Sequence, residues 1–135
     1  MNKGIDLGMV SQTLAALRSA GIRTYVYLLF GTPSETIDQA RHTLDLVVEH
    51  ADAITYLNLA IFNMPVCSPE AGTLEIANFS DGDLSLYTDF VHPHGWNRKA
   101  IRRFLDQEFK RHPAVAAILR RDPPFFTSNH APFII

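Results

Sequence analysis

Few side chains here are of the kinds that do chemistry, and their spacing limits what they could do. Cys67 is the single cysteine; it could act as a nucleophile or redox thiol, but no base stands near it in sequence, so it reads as an inert loop residue. His92-Pro93-His94 offers two imidazoles to a metal, yet no Cys, Asp or Glu triplet with ligand spacing accompanies them, and they read as surface loop histidines. Asp81 and Asp83 flank Gly82, which fits a turn built on aspartate side chains better than a cation site. Arg98, Lys99, Arg102 and Arg103 could meet a phosphate, but their spacing is that of a solvated helix face. His130, between Asn129 and Ala131 in an apolar tail, is expected to pack. With no G-x-S-x-G elbow and no set of nucleophile, base and acid, a hydrolase has no residues to carry it.

The stretch with the clearest local grammar is Thr24 to Thr36, TYVYLLFGTPSET. Its β-branched and aromatic run is too short for a core helix and reads as a strand, stopped at Gly31. Thr32-Pro33-Ser34-Glu35 then has the form of a helix start, with Thr32 as cap, Pro33 at the first helical position and Glu35 completing a capping box. In α/β proteins sites gather where strands end and helices begin, which places Gly31 near whatever this chain binds.

The elements around that stretch follow from periodicity. Asp6 caps a helix with Leu7, Val10, Leu14 and Leu17 on one face, closed by Gly21. A second helix from Pro33 to about His50 carries the stripe Ile37, Ala40, Leu44, Val47 and Val48. Ala53 to Phe62 is a nearly all-apolar strand, as in a parallel sheet. Alternation puts Tyr25, Tyr27 and Leu29 on one face and Val26, Leu28 and Phe30 on the other. In the second strand Leu57, Leu59 and Ile61 face the helices, which leaves Asn58 as the polar side chain directed into a barrel or cleft. Residues 63–83 read as a long loop and Leu84 to Val91 as a third strand; Asn97 caps a helix burying Ile101, Phe104, Leu105 and Phe109, and Pro113 restarts a short one. The tail from Asp122, with three Phe and two terminal Ile, is too apolar for a disordered terminus.

At 135 residues, 47% apolar and a net charge of −2, the chain is expected to be one α/β domain with a real core. No basic run with interleaved aromatics points to nucleic acid, and no apolar run approaches the roughly 20 residues of a membrane span. The start lacks the pattern of a signal peptide, and a lone cysteine makes no intrachain disulfide, so a cytoplasmic location is the expectation.

Taken together, Lys3-Gly4-Ile5, Ala20-Gly21-Ile22, Leu29-Phe30-Gly31-Thr32-Pro33-Ser34-Glu35-Thr36 and Ala40 to Leu46 resemble the late part of the radical S-adenosylmethionine (radical SAM) domain. They are most similar to the group that often carries an N-terminal cobalamin-binding domain. Asn63 to Pro69 is similar to that family's PxxSP-type loop, so the likeness covers about residues 3 to 71 and beyond them rests on the FTSNHAPF tail. The resemblance implies a partial (β/α) barrel of the TIM type with parallel strands, residues 1–71 supplying its βα repeats and 72–135 a C-terminal extension of strand, helices and apolar tail. It implies that Leu29 packs on the adenine of SAM, that Gly31 lets the backbone come close, and that Glu35 and Thr36 mainly cap the helix. Ser34 stands where one common form of the family has glycine.

That family reduces SAM with a [4Fe-4S] cluster held by three thiolates in CxxxCxxC, and one cysteine cannot hold it. The implied reading is the C-terminal fragment or remnant of a radical SAM protein. Its parent would use SAM and the cluster, with cobalamin where the group's additional domain is present; this chain alone is expected to be inactive and to hold no cofactor. The alternative is a non-catalytic α/β module that binds a small molecule or a protein. On the first reading the upstream half of the barrel is the missing partner. The isolated chain is then expected to form a homo-oligomer, most simply a two-fold dimer through the open edge and face of the first strand, with the tail a second candidate for swapping or covering.

Overall fold

The computed structural model describes residues 5–78 and 86–122. Its centre is a βαβ unit: α1 (Leu7–Ser19), β1 (Tyr25–Phe30), α2 (Ile37–Glu49) and β2 (Tyr56–Ile61). β1 and β2 pair in parallel, in register from Tyr25 opposite Tyr56 to Phe30 opposite Ile61. The expected residues shape the first helix. Asp6 accepts from the Met9 N–H as N-cap. At the other end Gly21, with φ +71°, closes a Schellman turn in which Ile22 N donates to Leu17 O and Gly21 N to Arg18 O. Leu14 is the buried residue of its apolar face, while Leu7 is largely exposed.

The two strands are clasped at their start by side chains as well as backbone. The Thr24 hydroxyl donates to Ala53 O at 2.8 Å and accepts from Thr55 N, while Thr24 N donates to the Thr55 hydroxyl. Thr24 is buried, and these exchanges satisfy it.

Helices cover one face of the sheet. Val26, Leu28 and Phe30 from β1 and Leu57, Leu59 and Ile61 from β2 join a core with Ala40, Leu44 and Val47 of α2. The alternation expected of both strands is therefore present. Phe30 is 0% exposed and meets Phe109 edge-on at a ring separation of 5.4 Å and Phe104 at 6.1 Å. Those two rings come from α3 (Arg98–Phe104), which runs into a π-helical turn, Leu105–Phe109, before α4 (Pro113–Leu119). The wider π turn lets Phe104, Leu105 and Phe109 all reach the core from one element. Arg41 of α2 grips Glu108 with two hydrogen bonds, 2.9 and 3.3 Å, tying the π turn to α2.

Several expectations need correction. α2 starts at Ile37, with the reciprocal box made by Thr36 and Gln39 rather than by Thr32 and Glu35. The stretch read as one loop holds β3 (Met64–Pro65), a 3₁₀ turn (Pro69–Gly72) and β4 (Ile76–Asn78). The third strand, β5 (Tyr87–Phe90), is not part of the parallel sheet. It lies between β3 and β4 in a small antiparallel sheet, because Pro65 and the turn after it reverse the chain. Among the described residues the parallel sheet has two strands and is not closed; the fold is mixed α/β. No helix there is long and apolar enough to cross a membrane. Asp81, Asp83, His130 and the tail from residue 123 lie outside the described residues.

Candidate functional site

The candidate site lies where β1 and β2 end. Gly31 leaves β1 with φ +84°, a conformation that a side chain strains. A Cβ there would also run into Cδ1 of Ile101, so α3 closes over this glycine. Thr32 to Glu35 form a turn, with Glu35 N donating to Thr32 O at 2.9 Å. The Glu35 carboxylate is thereby turned back to accept from Gly31 N and, at 2.8 Å, from the indole N–H of Trp96. This is the physical reason that Glu35 does not cap α2: its carboxylate serves two donors outside the helix through one oxygen, and Gln39 fills the capping position instead.

The partner of that turn is the segment His92–Asn97. His92 is 6% exposed, against the expectation of a surface histidine. Its Nδ1 accepts from His94 N at 3.2 Å, so the proton sits on Nε2, which donates to Thr32 O at 2.9 Å. Gly95, with φ +66°, turns the chain so that Trp96 enters the core beside Phe104. Asn97 then caps α3 through Ala100 N, which sets Ile101 against Gly31. One continuous segment, from His92 to Ile101, thus locks onto the turn from Gly31 to Glu35. Trp96 and Ile101 are not among the residues singled out from the sequence for a site, and His92 is singled out there only as a possible metal ligand set aside as a surface histidine. The readable signal was a lone Trp with an N–H to satisfy, next to a glycine and a cap residue.

In front of the turn is a cleft of about 250 Å³ at the C-terminal ends of both strands. Pro33, Phe62 and Pro65 make its apolar wall, and Thr32, Ser34 and Ser68 bring hydroxyls. Ser68 caps the following 3₁₀ turn through Ala71 N and contacts the Met64 sulfur, so it is committed to structure. Arg98 is likewise engaged, donating to Asn63 Oδ1 at 2.6 Å. Glu70 adds a carboxylate to the lining, and among the described residues no hydrogen bond joins it to a hydroxyl of the cleft, which has the make-up of a binding site.

The other candidates sit on the face of the sheet away from the helices. Leu29 is 42% exposed and Tyr27 56%. Asn58 is half-buried opposite Tyr27 in the register and near enough to the Tyr25 side chain to act on its phenol. Burial first, then the neighbouring Tyr27, pushes the Tyr25 phenol above its ordinary value of 10.0, and the polar Asn58 side chain opposes this. Leu29 and Asn58 therefore share a face, whereas the side-chain position of Gly31 points at Ile101.

A [4Fe-4S] cluster does not fit this chain. It needs three thiolates, and the one cysteine, Cys67, is exposed in a loop. Among the described residues no group of three or more His, Cys, Asp or Glu could hold a metal ion. Compared with known proteins, the chain matches no family model, no curated sequence and no solved structure.

Proposed function

We propose that this chain is the C-terminal part of a radical SAM-type barrel whose parent cleaves S-adenosylmethionine reductively, and that the chain alone is not catalytic. The observation that carries the reading is the pairing of β1 and β2: in-register parallel strands with helices on one face and an apolar opposite face that exposes Tyr27 and Leu29. A barrel interior asks for such a face, and Leu29 is the aliphatic residue there for an adenine ring. The cluster would come from the upstream half, as would any cobalamin domain, and the upstream strands would be the partner of the open face. Without them the face must be covered by the chain itself or by a second copy. The reading is tested with Leu29→Asp in the intact parent: a carboxylate desolvated against adenine should weaken SAM binding by several kcal/mol. Unchanged SAM affinity by calorimetry in a folded variant would sink the adenine contact.

A second reading is favoured by the closure of the Gly31 turn. Ile101 fills the space beside Gly31, and among the described residues the cleft in front joins no hydroxyl to the Glu70 carboxylate by a hydrogen bond, as suits a non-catalytic α/β module that binds a small molecule. Ligand binding by the isolated chain that is lost in Phe62→Ala and kept in Leu29→Asp would favour this reading over the first.

A further inference from the structure

Among the described residues that line the cleft in front of the Gly31 turn, Glu70 alone carries a charge. We propose that this cleft binds a small primary ammonium compound with one apolar ring, its ammonium at the Glu70 carboxylate and its ring on the wall of Pro33, Phe62 and Pro65. The inference rests on the reading of the cleft as a small-molecule site and is independent of the adenine contact at Leu29.

Charge selects the sign of the ligand. Among the described residues no hydrogen bond or ion pair engages the Glu70 carboxylate, and no Lys, Arg or His stands in the lining to receive an anion. A carboxylate beside an apolar wall loses water when a ligand enters, and a cationic group on the ligand makes good that loss. Donor count selects the head group. A primary ammonium has three N–H donors and accepts nothing, and the lining adds to Glu70 the hydroxyl oxygens of Thr32 and Ser34. Neither hydroxyl is held by a hydrogen bond among the described residues, whereas Ser68 is spent on its cap.

Wall and charge also stand in place before a ligand arrives. The 3₁₀ turn that carries Glu70 is fixed at its start by Ser68, which accepts from Ala71 N at 3.2 Å, and at its end by the Thr73 hydroxyl, which donates to Glu70 O at 2.9 Å. Phe62 is pinned from two sides: its N–H donates to Phe30 O at 2.8 Å, and its ring meets Phe90 edge-on at 6.1 Å. The other two wall residues are prolines, whose rings leave little freedom to lose. The volume, about 250 Å³, falls below the roughly 300 Å³ at which pockets for drug-sized ligands begin, which suits a single ring.

The test titrates the full-length chain at neutral pH with three probes of one shape, 2-phenylethylammonium, 2-phenylethanol and 3-phenylpropionate, followed by backbone amide NMR shifts. The ammonium should bind at least about fivefold more tightly than the alcohol, the carboxylate more weakly than either, and the shifted amides should centre on Thr32, Ser34, Phe62 and Glu70. Glu70→Gln should bring the ammonium down to the affinity of the alcohol and leave the alcohol unchanged. Glu75→Gln, which removes the same charge outside the lining, should leave the ammonium unchanged. A smaller preference for the ammonium, or an equal loss in Glu70→Gln and Glu75→Gln, overturns the proposal; where the alcohol still shifts the cleft amides, the small-molecule reading stands without it. Shifts centred away from the cleft, or none with any of the three probes, overturn both.

Discussion

Trp96 donates its indole N–H to the Glu35 carboxylate at 2.8 Å, and the same Glu35 oxygen accepts from the backbone of Gly31. One side chain thereby ties the end of β1 to Trp96, which lies 61 residues beyond Glu35. A neutral acceptor could bond either donor, but a carboxylate bonds both more strongly.

Glu35→Ala should leave the Trp96 N–H buried without an acceptor and cost about 2–3 kcal/mol in urea unfolding. Glu35→Gln keeps one acceptor oxygen and should cost less. Because Trp96 is the only tryptophan, its fluorescence reports the release directly. An unshifted emission spectrum together with unchanged stability in Glu35→Ala would show that the tie contributes nothing.

Gly31→Ala should be destabilised twice over, by the positive φ and by contact with Ile101, at a total of about 2–4 kcal/mol. Ile101→Val removes Cδ1 and should restore only the steric part. A double-mutant cycle that returns no coupling between the two positions would refute the contact.

Phe30→Ala should cost about 3–5 kcal/mol, since it opens a cavity facing both Phe104 and Phe109. Tyr27→Ala, on the exposed face, should cost far less in the same denaturant series.

Burial raises the Asp122 carboxyl above 3.8. A raised value in the folded state means that the contribution to stability is present below the ordinary carboxyl value and is lost as pH climbs through the raised one. Asp122→Asn should therefore gain stability relative to the unsubstituted chain as pH rises from about 4, reaching a constant advantage at neutral pH. Parallel urea midpoints across that range would contradict this.

The purified chain should take up no iron–sulfur cluster in anaerobic reconstitution, judged by visible absorbance, and should not cleave SAM to 5′-deoxyadenosine. Stoichiometric cluster with turnover by a monomeric chain would overturn the thiol argument.

The βαβ unit was legible in the sequence because its signals are local. Gly21 and Gly31 sit at positive φ, and the period-two alternation of 25–30 and 56–61 sorts both faces. The start of α2 was not legible, since Thr32…Glu35 and Thr36…Gln39 spell equivalent boxes. The choice between them is made by Trp96, which no local window contains. For the same reason His92 read as a surface residue: its burial depends on Thr32, 60 positions away. The antiparallel β3-β5-β4 sheet was hidden by its short strands, whose pairing depends on how the chain reverses rather than on a hydrophobic period. Leu29 and Asn58 share the face that alternation assigns them; at Gly31 the strand stop is legible, but the contact with Ile101 is not, because that residue is remote in sequence.

The dependence of Phe30 on Phe104 and Phe109 has a consequence for biosynthesis. When β1, α2 and β2 have left the ribosome, the rings that cover Phe30 have yet to be made. At roughly 5–20 residues per second, the gap lasts for several seconds of elongation. During that interval the nascent βαβ unit shows an apolar surface on the face that is later the most protected in the molecule. The vulnerable species in the life of this protein is then the half-made chain, which chaperones would meet before the C-terminal helices arrive.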